Sequence, residues 1–229
     1  MSALIDDHGP VQEERLAQTL RVNEIFLSIQ GESARVGLPT AFVRLTGCPL
    51  RCSYCDTEYA FHEGTSMSIA AILDAVSAYG TRYVTVTGGE PLAQKRCLDL
   101  LSSLCDRGYQ VSLETGGALD VSAVDRRVMK ILDIKTPASG EAGSNRHKNL
   151  KHLAPPDQIK FVICDRADYD WAKARVLDGK LDRLCEVLFS PSHDELAAAT
   201  LADWILEDRL PVRLQVQLHK YLWGNVRGR

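Results

Sequence analysis

Three cysteines lie within eight residues of the chain and form the pattern Cys48-x-x-x-Cys52-x-x-Cys55. Three thiolates can bind three irons of a cubic 4Fe–4S cluster, whereas an ordinary electron-transfer cluster uses four cysteines. The fourth iron is then free to bind another molecule, and an open coordination position is typical of metal sites that do chemistry. The spacing therefore predicts a catalytic 4Fe–4S cluster held by these three cysteines.

A structural zinc site is an alternative for the same cysteines, and it needs a fourth cysteine or a histidine. His62 lies seven residues after Cys55, so a Cys3His site stays open on counting alone. A disulfide is disfavoured, because the chain has seven cysteines, an odd number, and starts with a polar segment unlike a signal peptide. The open iron–sulfur cluster is the favoured interpretation.

The composition is that of an ordinary globular protein, with 229 residues, of which 45% are hydrophobic and 25% charged. This length suits one α/β domain, and we expect a single catalytic domain over residues 21–229 after a flexible arm over residues 1–20. A net charge of −3 argues against binding nucleic acid through its phosphates. No apolar run reaches the roughly 20 residues of a membrane helix, so we expect a cytoplasmic protein that binds neither nucleic acid nor membrane.

Short runs rich in β-branched residues alternate with stretches of helical periodicity along most of the chain. Strands separated by helices predict parallel βαβ units, and therefore an α/β fold. The predicted strands cover residues 22–29, 40–45, 83–86, 111–113, 128–134, 159–163, 187–189 and 214–218. The predicted helices cover residues 69–76, 98–105, 169–177 and 195–206, and the polar segment 137–156 is predicted to be a mobile loop.

Residues capable of chemistry follow the predicted strands at the points where the strands end. Because ligands of parallel α/β sheets bind at the carboxyl ends of the strands, these residues should share one rim. They are Cys48, Gly88-Gly89-Glu90-Pro91, Glu114-Thr115, Lys135, Ser190-Pro191-Ser192 and His219-Lys220. The paired glycines let the backbone approach a ligand closely, although alone they would indicate only a tight turn before a helix.

Polar residues in or beside apolar strands are candidates for binding a substrate. Arg44 lies in an apolar strand, so its guanidinium should meet an anion, most simply a carboxylate held by two hydrogen bonds. The alternative is an edge strand with Arg44 in solvent. Gln30 and Glu32 follow another apolar strand, where they either read the hydrogen-bond donors of a planar heterocycle or form a surface turn.

Several further candidates also have simple structural explanations. Asp56 and Thr57 offer oxygen ligands suited to Mg²⁺, but the same pair can cap a turn. His219 can contact a substrate, although a lone histidine is more often structural. The cysteines outside the triplet are interpreted as small apolar residues rather than as ligands of a second cluster. They are Cys97, Cys105, Cys164 and Cys185.

Taken together, the motifs resemble the radical S-adenosylmethionine superfamily. Its signature is the three-cysteine pattern with an aromatic residue, here Tyr54, before the last cysteine, followed by Gly-Gly-Glu-Pro. Within it the chain resembles the 7-carboxy-7-deazaguanine synthases, through the segments 24–32, 55–57, 87–91, 114–117 and 217–222. The resemblance implies an α/β fold of a particular kind, a partial (β/α)6-type barrel whose parallel sheet is open on one side.

This resemblance implies a lyase of queuosine and 7-deazapurine biosynthesis, with a 4Fe–4S cluster, S-adenosylmethionine and Mg²⁺ as cofactors. The reduced cluster would cleave S-adenosylmethionine, and the resulting radical would abstract a hydrogen from C6 of 6-carboxy-5,6,7,8-tetrahydropterin. Ring contraction with loss of ammonia would then give 7-carboxy-7-deazaguanine. An electron donor such as flavodoxin or ferredoxin and a homodimer are implied as well.

Roles for individual residues are also implied by their positions. The implied substrate contacts are Ile29, Gln30, Gly31, Glu32, Arg44, Thr87, Glu114 and His219. The implied S-adenosylmethionine contacts are Tyr54, Cys55, Asp56, Gly89, Asp133, Lys135 and Ser190. The implied Mg²⁺ ligand is Thr57.

The chain departs from some members at three places. Asp133-Ile134 stands where they have Ser-Pro, Ser190-Pro191-Ser192-His193 where they have Gln-Pro-Met-Asp, and residues 225–229 continue past the point where they end. A radical activase of a glycyl radical enzyme shares the cysteine spacing, but activases have Asp-Gly-Pro-Gly where this chain has Gln30-Gly31-Glu32. A non-catalytic zinc or iron–sulfur binding module is the other alternative, and the polar strand ends argue against it.

Overall fold

A nine-stranded sheet with helices on its outer face makes up residues 10–229, the part of the chain that the computed structural model describes. Strands β1 to β9 are Thr19–Ile29, Pro39–Leu45, Thr65–Ser68, Tyr83–Gly88, Gln110–Thr115, Met129–Asp133, Gln158–Ile163, Glu186–Pro191 and Arg213–Leu214. Helices α1 to α6 are Pro10–Ala17, Ile69–Ser77, Cys97–Asp106, Arg166–Gly179, Ala198–Asp208 and Leu218–Trp223. Short 3-10 helices are Glu58–Phe61, Pro91–Ala93, Pro137–Ser139, Ala142–Ser144, His147–His152 and Leu181–Arg183.

The strand order is β3-β1-β2-β4-β5-β6-β7-β8-β9. β1 pairs antiparallel with β2 and with β3, whereas every pair from β2–β4 to β8–β9 is parallel. Parallel neighbours need crossover connections, and helices supply most of them. The end strands β3 and β9 do not pair with each other, so the barrel is partial and open. This confirms the predicted fold class.

Alternation along the strands gives the sheet an apolar outer face and a polar inner face. On β4, Val84 and Val86 belong to the hydrophobic core, whereas Thr87 lines the inner cavity. On β5, Leu113 belongs to the core and Glu114 lines the cavity. Because successive side chains of a strand point to opposite faces, each strand supplies both the core and the cavity wall.

Helices on the outer face bury one apolar stripe each against the sheet. The stripe of α2 follows the i, i+3, i+4, i+7 spacing of an amphipathic helix. It consists of Ile69, Ile72, Leu73 and Val76. Fully burying a side chain of this size contributes roughly 1.5–3 kcal/mol, so the helices fix the position of the strands, and with it the geometry of the inner face. Within residues 10–229, no helix is both long and apolar enough to span a bilayer.

The predicted strand over residues 214–218 is wrong beyond Leu214. β9 is only two residues long, and Leu218 begins α6, which carries His219 and Lys220. The Leu218 N–H donates to the carbonyl of Gly31 at 3.0 Å. This contact joins segments far apart in the chain, so the local apolar alternation that suggested a strand does not reveal it.

The predicted flexible arm over residues 1–20 does not hold for residues 10–20. Arg15 of α1 pairs with Asp106 at 2.7 Å, Leu16 packs against the core, and Leu20 of β1 is buried. Residues 1–9 lie outside the described residues. The folded part of the chain therefore includes α1 and the first residues of β1.

The segment 137–156, predicted to be a mobile loop, is folded into three 3-10 helices and anchored to its surroundings. Asn149 is fully buried and donates to the carbonyls of Gly117 and Leu119 at 3.0 and 2.7 Å. Polar side chains of this segment form hydrogen bonds to backbone groups, as polar side chains in turns commonly do. Composition alone does not distinguish such polar residues from those of a solvated loop.

Candidate active site

One end of the sheet opens into a cavity of about 640 Å³. The residues predicted to share a rim do meet here, because parallel strands present their carboxyl ends on the same side. All predicted site residues lie within the described residues 10–229, and all of them line the cavity except Gly31 and, among the residues predicted for the rim, Glu90 and Pro91. The cavity therefore brings together the cysteine loop and the polar ends of β1, β2, β4, β5, β6 and β8.

The cysteine loop follows β2 and is held in place by the segment after β6. Ser53 donates from its N–H to the carbonyl of Ser139 at 3.0 Å and from its hydroxyl to the carbonyl of Ala138 at 2.8 Å. The Arg51 N–H donates to the Glu141 carboxylate at 2.7 Å. The segment predicted to be mobile is thus what fixes the backbone between the three cysteines.

The three thiols are not in disulfides and are partly exposed to the cavity. Burial raises the pKa of each of them, so assembly of a metal centre on thiolates must release protons. In residues 10–229, no group of three or more His, Cys, Asp or Glu is arranged to hold a single metal ion. His62 is exposed and does not line the cavity. This donor set fits a multi-iron cluster and does not support the Cys3His zinc alternative.

Glu90 of the glycine-rich loop joins this loop to the one that follows β5. Its buried carboxylate accepts the Leu92 N–H at 3.0 Å, the Gly116 N–H at 2.8 Å and the Thr115 hydroxyl at 2.8 and 2.9 Å. Burial raises the pKa of Glu90, although these hydrogen bonds lower it. The glutamate is therefore the structural part of the motif, and the glycines are left to face the cavity.

At Gly89 there is no room for a side chain. A Cβ atom at this position would lie 2.5 Å from the carbonyl oxygen of Gly47 and 2.7 Å from Cβ of Cys48. The backbone of the loop therefore passes directly against the cysteine loop. This leaves its polar groups available to a ligand bound beside the cluster.

Three buried polar atoms of the cavity wall have no hydrogen-bond partner among the described residues. They are the hydroxyl of Tyr54, Oδ1 of Asp133 and the hydroxyl of Ser190. Such unsatisfied groups cost about 1–3 kcal/mol each and are rare in folded proteins. With the Gly89 surface they form a polar cradle beside the thiols, and S-adenosylmethionine, with its amino, carboxylate and hydroxyl groups, fits it.

Lys135 places a fixed positive charge in this cradle. Its Nζ lies 3.1 Å from Oδ2 of Asp133 and 5.6 Å from the ring centre of Tyr54. Burial alone lowers the pKa of Lys135, but neighbouring groups, chiefly the Asp133 carboxylate, together raise it by more than burial lowers it. The pKa of Lys135 therefore lies above its ordinary value. Asn145 fixes the backbone of Lys135 through two hydrogen bonds of 2.8 Å.

Arg44 meets an anion, but this is a carboxylate of the protein, and one hydrogen bond joins the two groups where two were predicted. Its Nε donates to Oε1 of Glu24 at 2.7 Å, and the same oxygen accepts the Tyr59 hydroxyl at 2.9 Å. Burial and the bond to Glu24 raise the pKa of Tyr59 to about 12. Within the described residues, the two Nη groups of Arg44 have no acceptor, and the side chain lines the cavity.

Glu32 is held between two neighbours for which the sequence predicted no role. Its Oε2 pairs with the ammonium of Lys160, and its Oε1 accepts Nε2 of Gln217 at 2.7 Å. Burial raises the pKa of Glu32, but Lys160 and Gln217 outweigh burial, so the net pKa lies below the ordinary value. Glu32 is therefore an anion that faces the cavity.

Glu114 lies close to Glu32 but has the opposite electrostatic environment. Its carboxylate accepts the Thr87 hydroxyl at 2.9 Å and Nε2 of Gln30 at 3.3 Å. Burial, and then the charge of Glu32, raise the pKa of Glu114. Two neighbouring carboxylates with pKa values pushed apart are a common arrangement in sites that transfer protons or bind polar heterocycles.

Gln30 and Gly31 support neighbours in the structure. The Gln30 amide is buried and donates to the Thr85 hydroxyl and to Glu114, while its oxygen accepts the Glu32 N–H at 3.2 Å. A Cβ at Gly31 would lie 2.0 Å from Nδ1 of His219. The glycine is therefore required for His219 to reach the cavity, where burial lowers the histidine pKa.

Asp56 and Thr57 place three oxygen atoms at one edge of the cavity. The Thr57 hydroxyl donates to Oδ1 of Asp56 at 2.7 Å, and Oδ2 of Asp56 pairs with Nζ of Lys220 at 2.7 Å. Mg²⁺ is usually held by few protein oxygens, with water and substrate completing its shell. The Thr57 hydroxyl and its neighbour fit such a partial donor set.

Sequence reasoning missed Glu24, Tyr59, Lys160 and Gln217. The argument that singled out Arg44, a lone charge in an apolar strand, applies equally to Lys160 within Ile159-Lys160-Phe161. Glu24 lies in the first strand and is directly opposite Arg44 in the antiparallel pair of β1 and β2. Gln217 lies in the segment 217–222 that carries the family resemblance, but no role was predicted for it, because only the turn into α6 brings it to Glu32.

Comparison with known proteins agrees with this site. Residues 42–136 match the radical SAM superfamily. The 7-carboxy-7-deazaguanine synthase of Chlorobaculum tepidum is 49% identical over 90% of this chain and 94% of its own length, and that of Koribacter versatilis is 44% identical over 89% and 97%. The solved structure of QueE from Escherichia coli, 22% identical, superposes with a TM-score of 0.73 over 88% of this chain and 95% of its own, and shares the fold. The chain therefore belongs to the 7-carboxy-7-deazaguanine synthase family of radical SAM enzymes.

Proposed function

We propose that this chain converts 6-carboxy-5,6,7,8-tetrahydropterin to 7-carboxy-7-deazaguanine by a radical ring contraction with loss of ammonia. The observation that carries the proposal is that the cysteine loop and a separate set of charged side chains open into one cavity. A zinc or iron–sulfur binding module needs no second set of this kind. Family membership supports this reaction over the radical activase alternative.

The residues around the cysteine loop form the cofactor half of the site. When bound, the 4Fe–4S cluster and S-adenosylmethionine supply the one-electron chemistry that removes a hydrogen from the substrate. Cys48, Cys52 and Cys55 hold the cluster. The S-adenosylmethionine contacts are Tyr54, Asp56, Gly89, Asp133, Lys135 and Ser190, with Cys55 beside them. The unpartnered polar atoms of Tyr54, Asp133 and Ser190 support this assignment.

Arg44 and Glu32 orient the substrate in the other half. The free Nη groups of Arg44 bind the substrate carboxylate, while Glu24 holds the guanidinium through Nε. Glu32, kept ionised by Lys160, accepts hydrogen bonds from the pterin N–H groups. Phe26 and Phe42, stacked at 5.0 Å in the wall, exclude water from this region. Ile29 and Thr87 complete the wall.

Glu114 and His219 lie where a proton can be held near the substrate. With a raised pKa, Glu114 retains a proton at a higher pH than Glu32, so one carboxyl can donate a hydrogen bond while the other accepts. Gln30 holds the Glu114 carboxyl group through its amide nitrogen and the Glu32 backbone N–H through its amide oxygen. Thr57 is the protein ligand of Mg²⁺ at the edge of the site.

Three further features of the working enzyme belong to the proposal. An electron donor such as flavodoxin or ferredoxin reduces the cluster, and the enzyme works in the cytoplasm, where a reducing environment protects iron–sulfur clusters. The enzyme is a homodimer. Family resemblance supports the first and third of these, and the odd cysteine count supports the second.

The decisive experiment is anaerobic incubation of the reconstituted protein with carboxytetrahydropterin, S-adenosylmethionine, Mg²⁺ and reductant. We expect a product with the mass of 7-carboxy-7-deazaguanine, together with one ammonia per product. Arg44→Met should raise the substrate concentration needed for turnover and leave uncoupled cleavage of S-adenosylmethionine nearly unchanged. S-adenosylmethionine cleavage without this product, or normal substrate binding by Arg44→Met, would contradict the assignment.

A further inference from the structure

The C-terminal tail forms part of the cavity wall. All residues from 224 to 229 line the cavity. The tail follows α6, and only one of its side chains makes hydrogen bonds to the first strand and its surroundings. That side chain is Arg227.

Arg227 is bound by an extensive set of contacts for a residue so near the end of the chain. Its three nitrogens donate to Oε2 of Glu24 at 3.3 Å, Oε2 of Glu63 at 2.8 Å and Oδ1 of Asn23 at 2.9 Å. The guanidinium also lies 4.0 Å from the ring centre of Tyr59. Each of the three nitrogens of the group therefore has a protein partner, which fixes the orientation of the guanidinium.

A β-bulge makes this arrangement possible. The register of β1 against β2 shifts between Val22 and Glu24, so Asn23 is an extra residue in the strand. Adjacent strand residues normally point to opposite faces, and a bulge breaks this alternation and redirects side chains. Here it lets the neighbouring residues Asn23 and Glu24 contact the same guanidinium.

Glu24 joins the tail to the substrate half of the cavity. One of its oxygens accepts Arg44 Nε at 2.7 Å and the Tyr59 hydroxyl at 2.9 Å, and the other accepts Arg227 Nε. Arg44 and Arg227 also lie over the Tyr59 ring, at 5.9 and 4.0 Å from its centre. Arg44 and Arg227 therefore share two partners, Glu24 and Tyr59. Neither arginine belongs to the hydrophobic core.

The contacts of Arg227 are too exposed to be needed for folding. Its side chain is 45% exposed, and that of Glu63 57%. Surface ion pairs of this kind contribute little to stability. Each contact nevertheless restricts the positions that Glu24 and Tyr59 can take, which matters where Arg44 must hold a ligand in one orientation.

We propose that Arg227 is a positioning residue for substrate recognition, which acts through Glu24 and Tyr59 to hold the Arg44 guanidinium toward the cavity. This inference rests on the proposed role of Arg44 as the group that binds the substrate carboxylate. Arg227 itself touches neither substrate nor cofactor. The tail therefore completes the cavity wall and also fixes the position of Arg44.

The test is a double-mutant cycle on binding of 6-carboxypterin, a stable oxidised pterin, by the reconstituted protein with S-adenosylmethionine and Mg²⁺, measured by equilibrium dialysis. Arg227→Gln should raise the Kd up to about fivefold, because Glu24 and Tyr59 then hold the Arg44 guanidinium less firmly and contacts this exposed are weak. In the Arg44→Met background, Arg227→Gln should have no further effect, because the pair then has no coupling left to lose. Uncoupled cleavage of S-adenosylmethionine should not change.

Arg146→Gln is the matched control, since Arg146 is similarly exposed, at 42%, pairs with Asp120 at 2.8 Å and lies outside the cavity. Its Kd should stay within about twofold of the parent. Hydrogen exchange of the C-terminal peptide should accelerate in Arg227→Gln alone.

Unchanged binding in Arg227→Gln, or an equal loss with and without Arg44, overturns the inference. Normal binding by Arg44→Met overturns the proposed role of Arg44, and with it the route through Glu24. Weak binding by Arg44→Met beside normal binding by Arg227→Gln overturns only the role of the tail. The two failures are thus distinguishable.

Discussion

Strand β6 has a lysine–aspartate ion pair near each end, and the two pairs are built differently. Near its start, Lys130 Nζ lies 2.9 Å from Oδ2 of Asp157, with 7% and 1% of the two side chains exposed. The Asp157 carboxylate also accepts the N–H groups of Lys130 and Ala154 at 2.7 and 2.8 Å. Both of its oxygens therefore have protein partners.

Near the other end, the pair of Asp133 and Lys135 is incomplete. Oδ2 of Asp133 lies 3.1 Å from Nζ of Lys135, but Oδ1 is buried without a partner in the described residues. The pair also faces the cavity. A lysine and an aspartate thus stabilise the fold at one end of β6. At the other end, the same two residue types leave a carboxylate oxygen that can bind a ligand.

A difference of this kind between the two ends of the strands is general in parallel barrels. Residues at the amino ends of the strands contribute mainly to stability, and residues at the carboxyl ends form the site. An ion pair whose hydrogen bonds are all made by protein has nothing to offer a ligand. A pair with one unmade bond is costly until a ligand completes it, and this difference can be tested by substitution.

The largest expected effect is at the cavity end, where Cys52→Ala removes one cluster ligand. We expect the cluster absorbance and all cleavage of S-adenosylmethionine to be lost, while the free energy of unfolding of the metal-free protein changes by less than about 1 kcal/mol. Absorbance after reconstitution and denaturant unfolding measure the two quantities. Cys105→Ala, on the outer helix α3, is the control and should keep both. A Cys52→Ala variant with full turnover would disprove the cluster assignment.

At the opposite end, Asp157→Asn should reduce stability and leave the chemistry intact. The buried Lys130 ammonium would lose its counterion, which costs about 3–5 kcal/mol, while activity per folded molecule should not change. Urea unfolding and activity at low temperature test this. Adding Lys130→Met should recover much of the loss, because the unpaired charge is then gone. Little loss of stability in Asp157→Asn would show that the two pairs differ less than their geometry suggests.

Asp133→Asn should show the reverse pattern with a smaller effect. Its unfolding free energy should fall less than that of Asp157→Asn, because Oδ1 of Asp133 is already buried without a partner and the pair is incomplete in the parent. The Kd for S-adenosylmethionine should rise about tenfold, since a charged hydrogen-bond acceptor is lost. Calorimetric titration of the reconstituted protein measures the Kd. Loss of stability without weaker binding would place Asp133 among the structural residues.

The smallest expected effect is on the pH dependence of stability at Glu114. Its folded pKa is raised by burial and by Glu32, so the stability that its proton contributes is fully present below the ordinary value of 4.5. That stability is lost as the pH rises through the folded pKa. Glu114→Gln should remove this decline, so the variant should lose less stability than the parent as the pH rises above 4.5.

Glu32→Gln is the contrasting variant, because the folded pKa of Glu32 is lowered by Lys160. Its stabilising contribution is present above the ordinary value of 4.5 and is lost as the pH falls through the folded pKa. Parallel pH curves of unfolding free energy for the parent and Glu114→Gln would contradict the assigned environment of Glu114.

Much of the fold was predictable because the strands are short, β-branched and regularly separated by amphipathic helices. The ends of β2, β4, β5 and β8 were predicted to within a few residues. The start of α6 was not, because the alternation of Leu214, Val216 and Leu218 fits a strand equally well. A hydrogen bond from Leu218 to Gly31 holds the start of α6, and a local pattern does not contain that contact.

The sequence by itself determined the chemistry, because it depends on residue types at short spacing. The spacing of Cys48, Cys52 and Cys55 predicts an open cluster without any knowledge of the fold. The order of strands and helices predicts that the other polar residues share one rim. Only the tertiary structure decided which residues pair. It gave Arg44 a protein carboxylate at Glu24, set Glu32 against Lys160, and brought Arg227 to the same glutamate from 203 residues away. Such partners are set by strand register, a bulge and helix packing, which arise from contacts distant in sequence, so no local pattern encodes them.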